Sequence, residues 1–137
     1  MPPRIYPTVA ETIETHRLLI QEFGGLGGIR DMELLKSAVL RAQNGYYNSL
    51  IEEASALVES LANNHAFNDG NKRISFVMTD AMLRANGYFL DAEPLEDHKF
   101  ITEAMEKDNF RFPIIRDWIA LIAKSLIVEE RRTRKKK

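Results

Sequence analysis

His65, Ala66, Phe67, Asn68, Asp69, Gly70, Asn71, Lys72 and Arg73 follow one another in the chain and bring more chemistry together than any other stretch of it. One imidazole, one carboxylate, two amides, a glycine and two cations fall between two segments of helical period. Asn71, Lys72 and Arg73 would occupy the first turn of the second helix, whose free N–H groups and positive dipole end suit an anion, phosphate above all. Cations in a first turn run against the macrodipole, which makes sense when a polyanion normally sits between them. Gly70 lets the backbone approach such a ligand. Asp69 beside a phosphate is a natural Mg²⁺ ligand, because Mg²⁺ takes one or two carboxylates together with phosphate oxygens and waters. His65 is the one group of the loop that ordinarily titrates near neutrality. Phe67 reads as an apolar pin for the loop. These are the parts of a phosphoryl- or nucleotidyl-transfer site.

The elements that must hold this loop read as helices almost throughout. Thr8 and Glu11 form a capping box opening a first helix through Ile13, Leu19, Ile20 and Phe23. The glycines at 24, 25, 27 and 28 stop it, either as a tight helix–helix turn or as a mobile flap for a protein substrate. Asp31 is placed to cap a second helix ending near Asn44 and Gly45. Ser49 and Glu52 form another box, for a third helix reaching about Ala62. After the polar loop the period resumes through Ile74, Val77, Met78, Ala81, Met82 and Ala85, and Asn86 with Gly87 gives the stop. Tyr88, Phe89 and Leu90 read as a short extended piece. Pro94 lies near the start of a fifth helix running to about Lys107. Pro113 suits the first position of a last helix whose stripe is Ile114, Ile115, Trp118, Ile119, Ile122 and Leu126. No two strands are expected to pair. The expected fold is all-α, a single-domain bundle of about six helices over residues 1–130, followed by a basic tail at 131–137.

Composition narrows the classes further. A chain of 137 residues with 45% hydrophobic and 28% charged residues is of ordinary globular make-up. It has no cysteine, which removes disulfides, thiolate metal sites and cysteine nucleophiles. Its start lacks the apolar core of a secretory signal, and its longest apolar run, 118–123, falls far short of the ~20 residues of a membrane span, so a cytoplasmic location is expected. The net charge of −1 conceals an asymmetry: six of the last seven residues are basic, and without them thirteen basic residues face twenty acidic ones, about −7. Specific nucleic-acid binding would rest on the tail alone, and a terminal charge run is expected to be solvated. His16 and His98 sit on amphipathic helices without ligand spacing and are expected to be structural. Trp118 reads as core, and Glu93, Glu96 and Asp97 as a solvated helix start.

The motif resembles that of the Fic/Doc superfamily, His-x-Phe-x-Asp/Glu-Gly/Ala-Asn-Gly/Lys-Arg, and 65–73 meets every defined position. The resemblance extends to the glycine-rich segment from Phe23 to Asp31, the Leu34–Leu35 stretch that follows, and Asn86, Gly87 and Tyr88. It is nearest to the death-on-curing (Doc) toxins of toxin–antitoxin modules. The resemblance implies a Fic-type helical fold in which His65 is the general base, Asp69 holds Mg²⁺, and Gly70, Asn71, Lys72 and Arg73 bind the phosphates of ATP. Ordinary Fic enzymes carry glycine where this chain has Lys72, and they transfer AMP. Doc-type members with lysine there resemble protein kinases that deliver the γ-phosphate, with elongation factor Tu as target and a small Phd-like antitoxin as partner; nucleic acid is met only through the antitoxin. AMP transfer and a non-catalytic nucleotide-binding or corepressor role are the alternatives. Ser55 to Ser60 approaches the family's inhibitory helix, but it ends in serine, and Leu57 with Leu61 makes it read as core.

Overall fold

The computed structural model describes residues 3–92 and 94–127, without the side chains of 94–98. The readings made above for Glu93, Glu96, Asp97, His98 and the basic tail therefore lie outside the described residues. Helix α1 is Val9–Phe23 and α2 is Met32–Leu40, continued by a 3-10 turn at Arg41–Gln43. Helix α3 is Leu50–Asn63 and α4 is Asn71–Ala85. Strand β1 (Tyr88–Leu90), helices α5 (Pro94–Glu106) and α6 (Phe112–Ile122), and strand β2 (Ala123–Ser125) complete the order. The fold is all-α, as expected, with six helices named among the described residues.

Local chemistry accounts for most of the helix starts. The Thr8 hydroxyl accepts from Glu11 N at 3.0 Å while the Glu11 carboxylate accepts from Thr8 N at 3.1 Å, so two otherwise unpaired donors are satisfied reciprocally. Asp31 caps α2 by accepting from Leu34 N at 3.0 Å. At α3 only half of the expected box forms. Ser49 accepts from Glu52 N at 3.1 Å, but the Glu52 carboxylate takes Asn48 N at 3.2 Å, one residue before the cap. Helix α6 starts at Phe112, one position before Pro113, whose missing N–H costs nothing in a first turn.

Helix α3 is the central element and feeds two cores. Leu57 and Leu61 pack with Leu35, Val39, Ile74 and Met78. Ala54, Val58 and Ala62 face Leu83, Ile101, Phe110, Ile115 and Ile119. Trp118 is buried in the second group as expected, its ring stacked on Phe100 at 4.5 Å between centroids. The amino-terminal segment is strapped across this body. Arg4 and the Tyr6 hydroxyl both reach the buried Glu53 carboxylate, and Ile5 exchanges two hydrogen bonds with the Asn86 side chain.

Two expectations are corrected at the carboxyl-terminal end. A pair of strands does form: β1 runs antiparallel to β2 with Tyr88 opposite Ser125, Phe89 opposite Lys124 and Leu90 opposite Ala123. The last helix stops at Ile122, four residues short of the Leu126 that its stripe predicted, because Ala123 turns extended (ψ 123°). The reason is backbone satisfaction. Phe89 and Leu90 are buried, so the polar groups of β1 need partners, and β2 supplies them. Leu126 N bonding Gly87 O at 3.1 Å and Asp91 N bonding Ile122 O at 2.7 Å close the two ends of the pair.

Candidate functional site

Helix α3 ends at Asn63, and the chain reverses at His65, whose φ of +51° is left-handed, a region that histidine enters more readily than most side chains. The turn leaves His65 exposed and drives Ala66 and Phe67 into the core, where each is 1% exposed. The glycine-rich segment lies antiparallel alongside. Arg30 N and Asp31 N both bond Ala66 O, at 2.8 and 3.0 Å, Ile29 bridges Phe67, and Asn68 N bonds Gly28 O at 3.1 Å. The Arg30 guanidinium donates to His65 O at 2.6 Å and Asn64 O at 3.2 Å. Of the two readings left open for residues 24–28, a tight turn does not describe them, for they extend along the motif and are bonded to it.

Asp69 is held from both sides. Leu26 N donates to Oδ2 at 3.2 Å and Gly70 N to Oδ1 at 2.9 Å. These two N–H groups hold the carboxyl below its usual range, Gly70 contributing most. Gly25 explains itself here. Its φ is +110°, and a Cβ on it would lie 2.7 Å from Asp69 Oδ2. Asn71 folds its amide back onto the loop, accepting from Phe67 N at 3.1 Å and donating to Phe67 O at 3.0 Å. Its side-chain oxygen is thus spent on closing the loop, and its backbone N–H lies in the first turn of α4. Gly70 precedes that helix at φ +75°, with no side-chain cap on the helix end.

His16 supports the loop from beneath. It is 3% exposed, its ring stacks on Phe67 at 3.7 Å and 9°, and its Nε2–H donates to Asp69 O at 2.7 Å. It is structural, as expected. Its reach into the motif, 53 residues away in the chain, had no signal in the sequence. Phe67, read from the sequence as an apolar pin, lies buried under the loop against the His16 ring.

Above the loop opens a cavity of about 400 Å³, lined by every motif residue except the buried pair Ala66 and Phe67, with Ala62 of α3 and Met105 of α5 as apolar walls. That volume suits a nucleotide-sized ligand. Among the described residues neither Lys72 nor Arg73 forms a salt bridge. The Arg73 guanidinium instead lies 4.4 Å above the Phe23 ring. Among the described residues Asp69 is the one carboxylate on the cavity wall, and no cluster of three or more His, Asp or Glu exists. Such a donor set does not make an all-protein metal cage. It does fit Mg²⁺ that arrives with phosphate oxygens and waters. Glu59 is off the cavity wall, its carboxylate accepting from Arg41 Nη1 at 2.6 Å. No helix among the described residues is long and apolar enough to cross a membrane.

Two comparisons bear on this arrangement. Among curated proteins, Toxin Doc of Mycolicibacterium smegmatis is 42% identical over 76 residues, which cover 52% of this chain and 58% of that relative. The chain thus matches little more than half of the relative's length. The model of the Fic/DOC family matches residues 6–83, a span that takes in α1, the glycine-rich segment, the whole 65–73 loop and most of α4. With more than half of its residues matched, the loop and its supports included, the chain belongs to the Fic/DOC family.

Proposed function

We propose that the chain is the toxin of a toxin–antitoxin module, and that it transfers the γ-phosphate of ATP to a serine or threonine hydroxyl of a protein, elongation factor Tu being the target that the family resemblance suggests. The observation that carries the reading is the cavity itself: an exposed His65, Asp69 and two cations at a helix amino terminus line the same space, and among the described residues neither cation forms a salt bridge. His65 takes the proton of the target hydroxyl as its oxygen bonds the γ-phosphorus. The bond from that phosphorus to the β,γ-bridging oxygen breaks, and ADP leaves. Lys72, Arg73 and the first N–H groups of α4 bind and orient the phosphates, the positioning and charge stabilisation on which phosphoryl transfer chiefly depends. Mg²⁺, held by Asp69 together with phosphate oxygens, would supply further neutralisation of the phosphate charge.

Lys72 is the ground for choosing γ-phosphate over AMP. A long cation at 72 takes up volume and charge that a glycine leaves to the nucleotide, so the triphosphate is expected to lie the other way round. The partner proposed is a small Phd-like antitoxin, through which any contact with nucleic acid would come, and cytoplasmic action is part of the proposal. The test is incubation of the protein with elongation factor Tu, Mg²⁺ and ATP labelled at either end. A gain of about 80 Da with γ-label supports the kinase. An AMP adduct with α-label replaces it by adenylyl transfer, and ATP binding without modification of any protein leaves a binding module.

A further inference from the structure

Three side chains of α1 meet the motif from one stripe. His16, Ile20 and Phe23 are spaced i, i+4 and i+7, so they share a face of the helix, while Leu18 points the opposite way and is 50% exposed. Each touches a different part of the loop. His16 stacks on Phe67 and donates to the Asp69 carbonyl at 2.7 Å. Ile20 lies under the glycines, its Cδ1 3.5 Å from where a Cβ on Gly70 would be and 3.2 Å from one on Gly25. Phe23 places its ring 4.4 Å beneath the Arg73 guanidinium.

We infer that this face of α1 is a template for phosphate recognition, and that His16 and Phe23 are positioning residues: His16 sets the backbone at Asp69 and Gly70 where α4 begins, and Phe23 fixes the head of Arg73. The inference rests on the reading of the cavity as a phosphate site. An arginine on the surface ordinarily samples many rotamers, and holding it in place before the ligand arrives lowers the ordering cost of binding. An aromatic face can do this without neutralising the cation, whereas a carboxylate would compete with the phosphates. Phe23 is 57% exposed and thus ill explained as core, yet it ends the helix with its ring against the Arg73 guanidinium.

The probe is inorganic pyrophosphate, titrated alongside ATP with Mg²⁺ into the intact chain, with melting temperature followed for each variant. Phe23→Leu keeps apolar bulk and removes the π face, and affinity for both ligands should fall about two- to fivefold, with Phe23→Tyr restoring it. His16→Leu removes the donor to Asp69 O and should weaken binding about three- to tenfold, and His16→Gln, which offers an N–H again, should recover part of that loss. Leu18→Ala should bind like the parent. In the transfer assay the Phe23→Leu defect should fall on KM for ATP and spare kcat. Parent-like pyrophosphate binding by Phe23→Leu, failure of Phe23→Tyr to rescue, or a parent that binds no polyphosphate overturns the inference. Pyrophosphate binding that depends on Phe23, in a protein that modifies nothing, upholds it and overturns the transferase reading instead.

Discussion

The two ends of the molecule are held together by different means. At the motif end, Ala66 and Phe67 anchor the loop in the core, while the backbones of residues 65–73 and 24–31 are fixed by hydrogen bonds with the side chains of Asn71, Arg30, Asn68, Asp69 and His16. At the α6 end, Trp118, Phe100 and Phe110 pack ring on ring, and Ile115 and Ile119 are wholly buried. Helix α3 joins the two, with one face in each core. Apolar packing is dense but indifferent to the angle of a polar group, whereas hydrogen bonds set angles and contribute less to stability. The division suggests that stability and the presentation of chemistry are separable in this chain, and substitutions at either end can test that.

The largest effect is expected at His65. Loss of a general base costs about 10²–10⁴ in rate. The left-handed backbone there makes asparagine the cleaner replacement, since it tolerates positive φ while lacking a base. His65→Asn should abolish transfer in the label assay and leave the melting curve nearly unmoved; a matching loss of stability would break the division. Next in size, Trp118→Ala at the other end should cost about 3–5 kcal/mol by denaturant titration. Its residual folded fraction should retain ATP affinity. Gly25→Ala sits at the junction of geometry and chemistry. With φ at +110° and Asp69 Oδ2 in the way, it should cost about 1–3 kcal/mol and also displace the carboxylate, weakening Mg²⁺-dependent more than Mg²⁺-independent nucleotide binding.

The smallest effect is one of pH. The Asp69 carboxyl is depressed by the N–H groups of Gly70 and Leu26, so the stability they lend is fully present above the ordinary carboxylate pKa. It is lost as pH falls through the lowered folded-state value, where the unfolded chain has already taken up its proton. Asp69→Asn should therefore flatten the acid limb of the stability curve slightly. An unchanged limb would mean that the two bonds are too solvent-exposed to matter.

What the sequence disclosed and what it hid follow the range of the forces involved. Thr8 with Glu11, Asp31 with Leu34 N, and Gly70 before α4 are decided within a few residues, and they form as read. Strand β2 is hidden because Leu126 continues the helical stripe of α6, and what ends that helix is the demand of β1 more than thirty residues earlier. The loop was legible as chemistry, its residue types being unusual together. Its supports were not: a histidine in an amphipathic helix and a phenylalanine at a helix end carry no mark of the partners they meet through the fold. Asn71 shows the converse, since its type suggested a ligand contact while its side chain is occupied with the backbone of Phe67.

The antiparallel clasp between 26–31 and 65–69 also bears on how this region opens. Arg30, Asp31 and Asn68 each give their amide hydrogen to the opposite segment, so none of the three can exchange with deuterium until the segments part. They should exchange together, as one local opening unit, at a free energy below that of global unfolding. Anything that bridges the two segments, a nucleotide on the loop or a partner laid across the glycines, should slow all three by the same factor. The clasp makes the motif loop a part that opens whole, so that its transient exposure to a protease is governed by residues 26–31 as much as by its own.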